Sequence, residues 1–122
     1  MGNIFTEKSN ATWKEGTDCL ALGLGNTAAN RLYYAVFQAI KGFGVEKQNW
    51  SVEDSDNVHL KALNIVCGPT GGKGFGYRKK LMELRSLRLI ADYHPENVDI
   101  EHLKALVEDA DKIRKHHITK TG

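Results

Sequence analysis

The sequence has few of the residues that interrupt or cross-link a chain. Its 122 residues include only two prolines and two cysteines, and no apolar run approaches the length of a membrane span. Because Pro69 and Pro95 fall where we expect helix boundaries, the rest of the chain is free to be helical. Cys19 and Cys67 do not belong to a C-x-x-C pair, so no zinc site is indicated, and we expect two small, reduced, buried side chains.

We also expect no secretory signal, because Met1–Lys8 has no basic start followed by an apolar core. We therefore expect a cytoplasmic protein. Charged residues account for 26% and hydrophobic residues for 41% of the chain, which is ordinary for a globular domain and argues against wholesale disorder. The formal net charge of +2 does not point to one class of partner. The length fits a single domain over residues 1–122.

What the chain does have is helical periodicity. Apolar residues recur at three- and four-residue spacing, and this pattern predicts helices and no strand. Five helices are expected, at about Glu7–Leu22, Thr27–Phe43, Asp56–Val66, Tyr77–Tyr93 and Val98–His117. Amphipathic helices joined by short loops predict an all-α fold, an antiparallel four- to five-helix bundle.

The helix ends and apolar stripes have their own sequence signals. Gly23 and Gly25 are expected to end the first helix, and Gly42 and Gly44 the second. The expected N-terminal caps are Asn26 or Thr27 for the second helix and Asn97 or Asp99 for the last. The apolar stripe of the first helix is predicted to contain Trp13, Thr17, Leu20 and Leu24.

The fourth predicted helix is strongly basic, with five basic residues and one acid between Tyr77 and Ile90. A helical wheel places Arg88 in the middle of the apolar side of this helix. An inward guanidinium must be paired, or must line a groove or an interface. Two interpretations follow. Arg88 forms an ion pair with Asp92, four residues on, or it is held in a cleft to receive a phosphate or another anion.

His94 follows at the end of the same helix. Histidine exchanges protons near neutral pH and arginine stabilises negative charge on a phosphate, so the two residues could cleave RNA without a metal. The other histidines, His59, His102, His116 and His117, form no i, i+4 ligand pair with an acid between them, so we predict no metal site and no cofactor. His116 and His117 suit a helix C-terminus, where a positive charge meets the helix dipole.

Two segments of the chain resemble the signatures of a known family. Residues 30–39, NRLYYAVFQA, are similar to the RxYYAxFxA motif of HEPN domains. Residues 84–93, LRSLRLIADY, resemble their second motif, in which an arginine leads into Ala-Asp-Tyr. The resemblance covers nearly the whole chain. It implies a helical bundle that usually forms a homodimer and that often acts beside a minimal nucleotidyltransferase in toxin–antitoxin systems.

We therefore interpret the chain as a HEPN-type protein of a toxin–antitoxin-like system that pairs with a minimal nucleotidyltransferase, binds a nucleotide or RNA, or does both. The candidate binding residues are Arg31, Tyr34, Arg85 and Asp92. The alternative is a metal-independent endoribonuclease, in which Arg88 binds the scissile phosphate and His94 moves the proton. Leu89 follows Arg88 where ribonuclease members often have Asn, Asp or His, which favours the binding role. A structural bundle without a ligand is the third interpretation.

Overall fold

The computed structural model describes residues 4–51 and 72–121, with side chains from residue 76 onward in the second stretch. These residues form four α-helices and no strand, namely α1 (Ile4–Ala21), α2 (Gly25–Lys47), α3 (Gly72–Tyr93) and α4 (Ile100–Thr121). The predicted all-α class is confirmed for this part of the chain. The helix predicted at Asp56–Val66 lies outside the described residues, as do Pro69 and Cys67.

Helix α2 is the centre of the bundle, because it packs against each of the other three helices. Neighbouring helices in the chain run antiparallel. Between α1 and α2, Ser9 meets Ala35 and Gly16 meets Leu32, so residue numbers rise on one helix as they fall on the other. The same order holds between α2 and α3 and between α3 and α4.

The core surrounds α2, on which small and large buried side chains alternate. This alternation lets the neighbouring helices approach closely and fill the space between them. The buried residues of α2 include Ala28, Ala29, Leu32, Tyr33, Ala35, Val36, Ala39 and Ile40. Helix α3 adds Leu81, Leu84 and Leu87, and α4 adds Leu103, Leu106, Ala110 and Ile113. The apolar faces of α2, α3 and α4 therefore meet in one core.

Helix α1 is different, because its buried face is small and polar. Its buried residues are Thr6, Ser9, Thr12 and Gly16. The predicted apolar stripe is less buried, and Leu24 at its end is 52% exposed. Small side chains bring α1 close enough to α2 for the Ser9 hydroxyl to donate a hydrogen bond of 2.6 Å to the Ala35 carbonyl. Periodicity of apolar residues could not identify a face that packs in this way.

Gly23 ends α1 as predicted. Its φ of 77° lies in the left-handed region that favours glycine. The amides of Gly23 and Leu24 donate hydrogen bonds of 3.0 and 2.9 Å to the carbonyls of Leu20 and Cys19, which is the Schellman pattern of a helix C-terminus. Gly25 does not belong to this ending, because it is the first residue of α2.

Gly42 and Gly44 do not end α2, which continues to Lys47, so this prediction was wrong. Both glycines are buried within the helix. A Cβ at Gly44 would overlap the ring of Trp50, whose amide donates a hydrogen bond of 3.1 Å to the Gly44 carbonyl. The glycine therefore makes room for a tryptophan that folds back over the helix. The helix ends just before Asn49, which has a φ of 58°.

The predicted N-terminal caps are half correct. Asp99 caps α4, because its Oδ1 accepts hydrogen bonds of 3.0 and 3.2 Å from the amides two and three residues on. The cap position of α2 is occupied by Leu24, which forms no side-chain cap hydrogen bond. Asn26, expected there, instead accepts a hydrogen bond of 2.9 Å from the Val98 amide, which ties the start of α2 to the α3–α4 connection.

His117 is buried near the end of α4, where a charged histidine was expected. Its Nδ1 lies 2.8 Å from the Ile113 carbonyl oxygen, and its ring contacts the rings of Phe43 and His116. Burial lowers the pKa of His117 to about 4, although the hydrogen bond to Ile113 opposes this change. The ring is neutral near neutral pH, so the expectation that its charge meets the helix dipole was wrong.

We predict that Gly16→Ala destabilises the fold. The added Cβ would lie 2.7 Å from Leu32 Cδ2 and 3.1 Å from the Leu32 amide nitrogen. Overpacking of about 1–3 kcal/mol should exceed the gain in helix propensity of about 1 kcal/mol. Gly76→Ala is the matched control, because none of the described residues lies within 4 Å of its Cβ, and it should stabilise the protein. Urea unfolding measures both variants, and native stability in Gly16→Ala would contradict the close packing of α1.

We also predict a loss of stability as the pH falls from about 6.5 to about 4, the unfolded and folded pKa values of His117. In this window the unfolded state binds a proton that the folded state excludes, which costs up to about 3 kcal/mol. His117→Gln removes this titration and leaves the carboxylates in place. The free energy of unfolding should therefore depend less on pH in the variant. Equal pH dependence in both proteins would contradict a buried neutral ring.

Candidate functional site

Arg88 lies on the inward side of α3, as the helical wheel predicted. Its side chain is 13% exposed. Its guanidinium carbon lies 5.1, 5.8 and 5.6 Å from the ring centroids of Tyr34, Tyr33 and Tyr93. Aromatic faces attract a cation, and the attraction is stronger where water is excluded. These rings therefore offset part of the cost of desolvating the guanidinium.

Two polar partners fix the orientation of Arg88. Its Nη2 donates a hydrogen bond of 2.7 Å to the Tyr34 hydroxyl on α2. Its Nε lies 3.0 Å from Asp92 Oδ2, an ion-pair contact without the alignment of a hydrogen bond. The side-chain nitrogen of Asn30, Nδ2, donates to both carboxylate oxygens of Asp92, at 3.1 and 3.3 Å. The predicted ion pair is therefore present, and each of its members is bonded to α2, Arg88 to Tyr34 and Asp92 to Asn30.

Arg31 joins this arrangement through Asn30. Its Nε and Nη2 donate hydrogen bonds of 2.9 and 2.6 Å to Asn30 Oδ1. Its guanidinium carbon also lies 5.9 Å from the centroid of the Tyr34 ring. The side-chain oxygen of Asn30 thus accepts hydrogen bonds from the positively charged Arg31, and its side-chain nitrogen donates to the negatively charged Asp92. Tyr34 is shared by two arginines.

Arg85 makes the corresponding contact with Tyr33. Burial raises the pKa of Tyr33 to about 12, while the nearby charges of Arg85 and Arg88 and a hydrogen bond from Arg85 oppose this rise. The phenol is therefore neutral throughout the physiological range. Arg85 and Arg88 of α3 therefore both act on Tyr33, and Arg88 also donates to the hydroxyl of Tyr34, the next residue of α2.

We call these seven residues the arginine–tyrosine cluster. They are Asn30, Arg31, Tyr33 and Tyr34 of α2 and Arg85, Arg88 and Asp92 of α3. Three guanidinium groups and one carboxylate give the cluster a net formal charge of +2. The α2 residues lie in the segment 30–39 and the α3 residues in the segment 84–93. The two segments, about fifty positions apart in the sequence, are therefore in direct contact.

Five of the six predicted site residues are brought together in this cluster. Asn30 and Tyr33 were missed. Asn30 precedes Tyr34 by four positions, which places both on one face of a helix, and this spacing could have identified it. Tyr33 is buried, and helical spacing groups it with the apolar residues of α2. Nothing in the sequence pattern distinguishes an apolar tyrosine from one that receives an arginine.

His94, the sixth residue, makes its side-chain contact elsewhere. Its side chain is 51% exposed, and its Nδ1 lies 3.3 Å from Glu96 Oε1. Its amide donates a hydrogen bond of 3.2 Å to the Ile90 carbonyl, beyond the last residue of α3. The structure therefore pairs His94 with the acid two residues on, whereas Arg88 pairs with Tyr34 and Asp92.

A concavity of about 300 Å³ lies where the α1–α2 turn meets the α3–α4 connection. Residues 23–27 line one side, and Asn97, Val98 and Ile100 line the other. The side chain of Asn26 is already bonded there to the Val98 amide and to Asn97 Oδ1. None of the described residues that line this space is charged, so the arginine–tyrosine cluster is the better candidate for a functional site.

Within residues 4–51 and 72–121, no group of three or more His, Cys, Asp or Glu side chains is placed to hold a metal ion. None of the helices described for this chain is long and apolar enough to cross a membrane.

In comparisons with protein-family models, with curated proteins and with solved structures, no match to this chain was found. The chemistry of the cluster therefore rests on its own residues and distances.

We predict that Tyr34→Phe lowers the free energy of unfolding by about 1–2 kcal/mol, because the part-buried Arg88 loses a hydrogen bond of 2.7 Å while the ring remains. Tyr93→Phe is the control, since Tyr93 is 71% exposed and removal of its hydroxyl should change stability by less than about 0.5 kcal/mol. Urea unfolding compares the two variants. Equal losses would show that the Tyr34 hydroxyl does not hold Arg88.

Proposed function

We propose that this chain is a cytoplasmic, HEPN-type binding module that holds a nucleotide or RNA by its phosphate group at the arginine–tyrosine cluster. The observation that carries the proposal is the convergence of Arg31, Arg85 and Arg88 from two helices on the adjacent Tyr33 and Tyr34. Asp92, paired with Arg88, is the one carboxylate of the cluster. The resemblance of the contributing segments to the two HEPN motifs supports it from the sequence.

The chemistry of the cluster suits an oxyanion of phosphate. A guanidinium presents five N–H donors in a planar fork, which matches two phosphate oxygens at once. The two hydrogen bonds from Arg31 to Asn30 set its orientation and do not exhaust its donors. A net charge of +2 in a partly desolvated place attracts an anion more strongly than the same charge spread over open surface.

Fixed arginines are also an advantage in binding. A surface arginine loses rotamer freedom when it binds a ligand, at a cost of about 0.5–1.5 kcal/mol for each ordered side chain. Arg88 has already lost that freedom, because Tyr34 and Asp92 hold it. The affinity for phosphate is therefore reduced less by ordering than it would be at a mobile site.

The geometry favours binding over cleavage. Cleavage through the 2′-hydroxyl needs a proton-transfer group within hydrogen-bond reach of the reacting oxygen while an arginine holds the phosphate. The predicted proton-transfer group, His94, is paired with Glu96, and none of its described contacts reaches the arginine–tyrosine cluster. The metal-independent ribonuclease of Arg88 and His94 is therefore the second candidate function.

The resemblance also supports two protein partners, a second copy of the chain and a minimal nucleotidyltransferase. In a toxin–antitoxin-like system, a module that binds a nucleotide would be placed beside an enzyme that uses nucleotides. The identity of such a partner does not affect the binding experiment below, which uses the chain by itself.

We predict that Arg31→Ala weakens the binding of a fluorescein-labelled single-stranded RNA octamer by about five- to tenfold, because one phosphate contact is lost. The slope of log affinity against log salt concentration should also become shallower by about one, because one fewer counterion is released on binding. Lys112→Ala removes the same charge from an exposed lysine of α4 that pairs only with Glu108 among the described contacts, and it should have little effect. Fluorescence anisotropy measures all three proteins. Equal effects in the two variants would contradict a specific site.

The ribonuclease alternative has a separate test. Purified protein is incubated with end-labelled RNA and EDTA, beside Arg88→Ala and His94→Ala. We predict no cleavage above the buffer control in any of the three. Cleavage by the native protein that both substitutions abolish would replace the binding proposal with the catalytic one.

A further inference from the structure

Tyr93 is an exposed aromatic side chain at the edge of the arginine–tyrosine cluster. It is the last residue of α3 and follows Asp92 directly. Its side chain is 71% exposed, and no other aromatic residue appears among the exposed large hydrophobic side chains of the described chain. Neither the core nor the proposed phosphate contacts account for an apolar ring left in water at this position.

The ring of Tyr93 has one side backed by a cation. The guanidinium carbon of Arg88 lies 5.6 Å from its centroid, which is within the range of a cation–π contact. Arg88 is itself fixed by Tyr34 and Asp92, so the ring rests on an ordered support. An exposed aromatic surface beside an ordered cation is the arrangement by which proteins stack an unpaired nucleobase.

We propose that Tyr93 is a stacking platform for a nucleobase, and that the cluster therefore takes nucleotides whose base is unpaired. This inference rests on the proposed function, because the phosphate of the same nucleotide would lie on the arginines next to the ring. Bases inside a duplex are already stacked on both faces and cannot reach a side chain in this way. The site thus selects single-stranded RNA or a free nucleotide over a duplex.

The stacking is expected to be tolerant of sequence, because every base has a π-face. It should contribute to affinity without contributing to the salt dependence, since no counterion is released by a stacked base. These two properties separate the role of Tyr93 from that of the arginines.

The experiment compares native protein, Tyr93→Ala, Tyr93→Phe and Arg31→Ala by fluorescence anisotropy. The probes are a labelled single-stranded RNA octamer, the same octamer in a duplex, and an octamer with abasic riboses. Adenosine monophosphate is added as a competitor to report binding of a free nucleotide. Tyr93→Phe keeps the ring beside Arg88 and should leave the urea midpoint unchanged, whereas Tyr93→Ala loses this contact of an exposed side chain and should lower the midpoint only slightly. Both midpoints are checked first.

Tyr93→Ala weakens binding of the single strand about tenfold or more and leaves the salt dependence unchanged, whereas Tyr93→Phe stays within about twofold of the native protein. The abasic strand binds equally to the native protein and to Tyr93→Ala. The duplex binds more weakly than the single strand, and adenosine monophosphate displaces the strand from the native protein more readily than from Tyr93→Ala.

Two outcomes overturn the inference in different ways. If Tyr93→Ala binds the single strand as the native protein does while Arg31→Ala binds it more weakly, the platform is wrong and phosphate binding stands. If the native protein binds neither the natural nor the abasic strand, both the stacking platform and the proposed phosphate binding are wrong. Binding of the duplex as tightly as the single strand also contradicts the platform.

Discussion

The guanidinium of Arg88 determines how α3 lies against α2. A cation that is only 13% exposed is costly to desolvate, and it is tolerated here because a hydroxyl, a carboxylate and three aromatic rings surround it. These partners come from both helices, and Asn30 fastens the carboxylate to α2 as well. A slip of one helical turn would keep the ion pair within α3 but would separate Arg88 from the Tyr34 hydroxyl and Asp92 from the Asn30 side chain. The same contacts hold Arg31 and Arg85 within one positively charged cluster.

Arg114 is a second inward arginine, and its contacts only hold helices together, so it serves as a comparison for Arg88. Arg114 of α4 is 7% exposed, donates a hydrogen bond of 2.7 Å to Asn10 Oδ1 and lies 3.1 Å from Asp111 Oδ1. Its guanidinium carbon lies 5.1 Å from a ring of Trp13. It ties α1 to α4, and its partner Asp111 also pairs with Lys115, whose Nζ lies 2.9 Å from Asp111 Oδ2. The Arg88 cluster has two further arginines and an exposed aromatic ring beside it, an excess that helix packing does not require.

The parts of the fold that depend on local pattern could be predicted, and the parts that depend on distant contacts could not. The apolar stripes of α2 and α4, the turn at Gly23 and the Asp99 cap follow from nearby residues. Gly44 was expected to end a helix because nothing nearby shows that Trp50 would cover it. His117 was expected to carry charge because its burial arises from other helices. The inward position of Arg88 was predictable from the wheel, whereas its bridge to Asn30 required the register of α2 on α3.

The most direct measurement of phosphate binding is the ¹⁵N–¹H spectrum of the arginine side-chain Nε–H groups during titration with adenosine monophosphate. The Nε–H signals of Arg31 and Arg88 should shift in a saturable way, because both groups lie in the cluster that is proposed to hold the phosphate. The signal of Arg114 should stay in place, since that side chain is enclosed by α1 and α4. Unchanged signals of Arg31 and Arg88, or an equal shift of Arg114, would contradict the assignment of the cluster as the binding site.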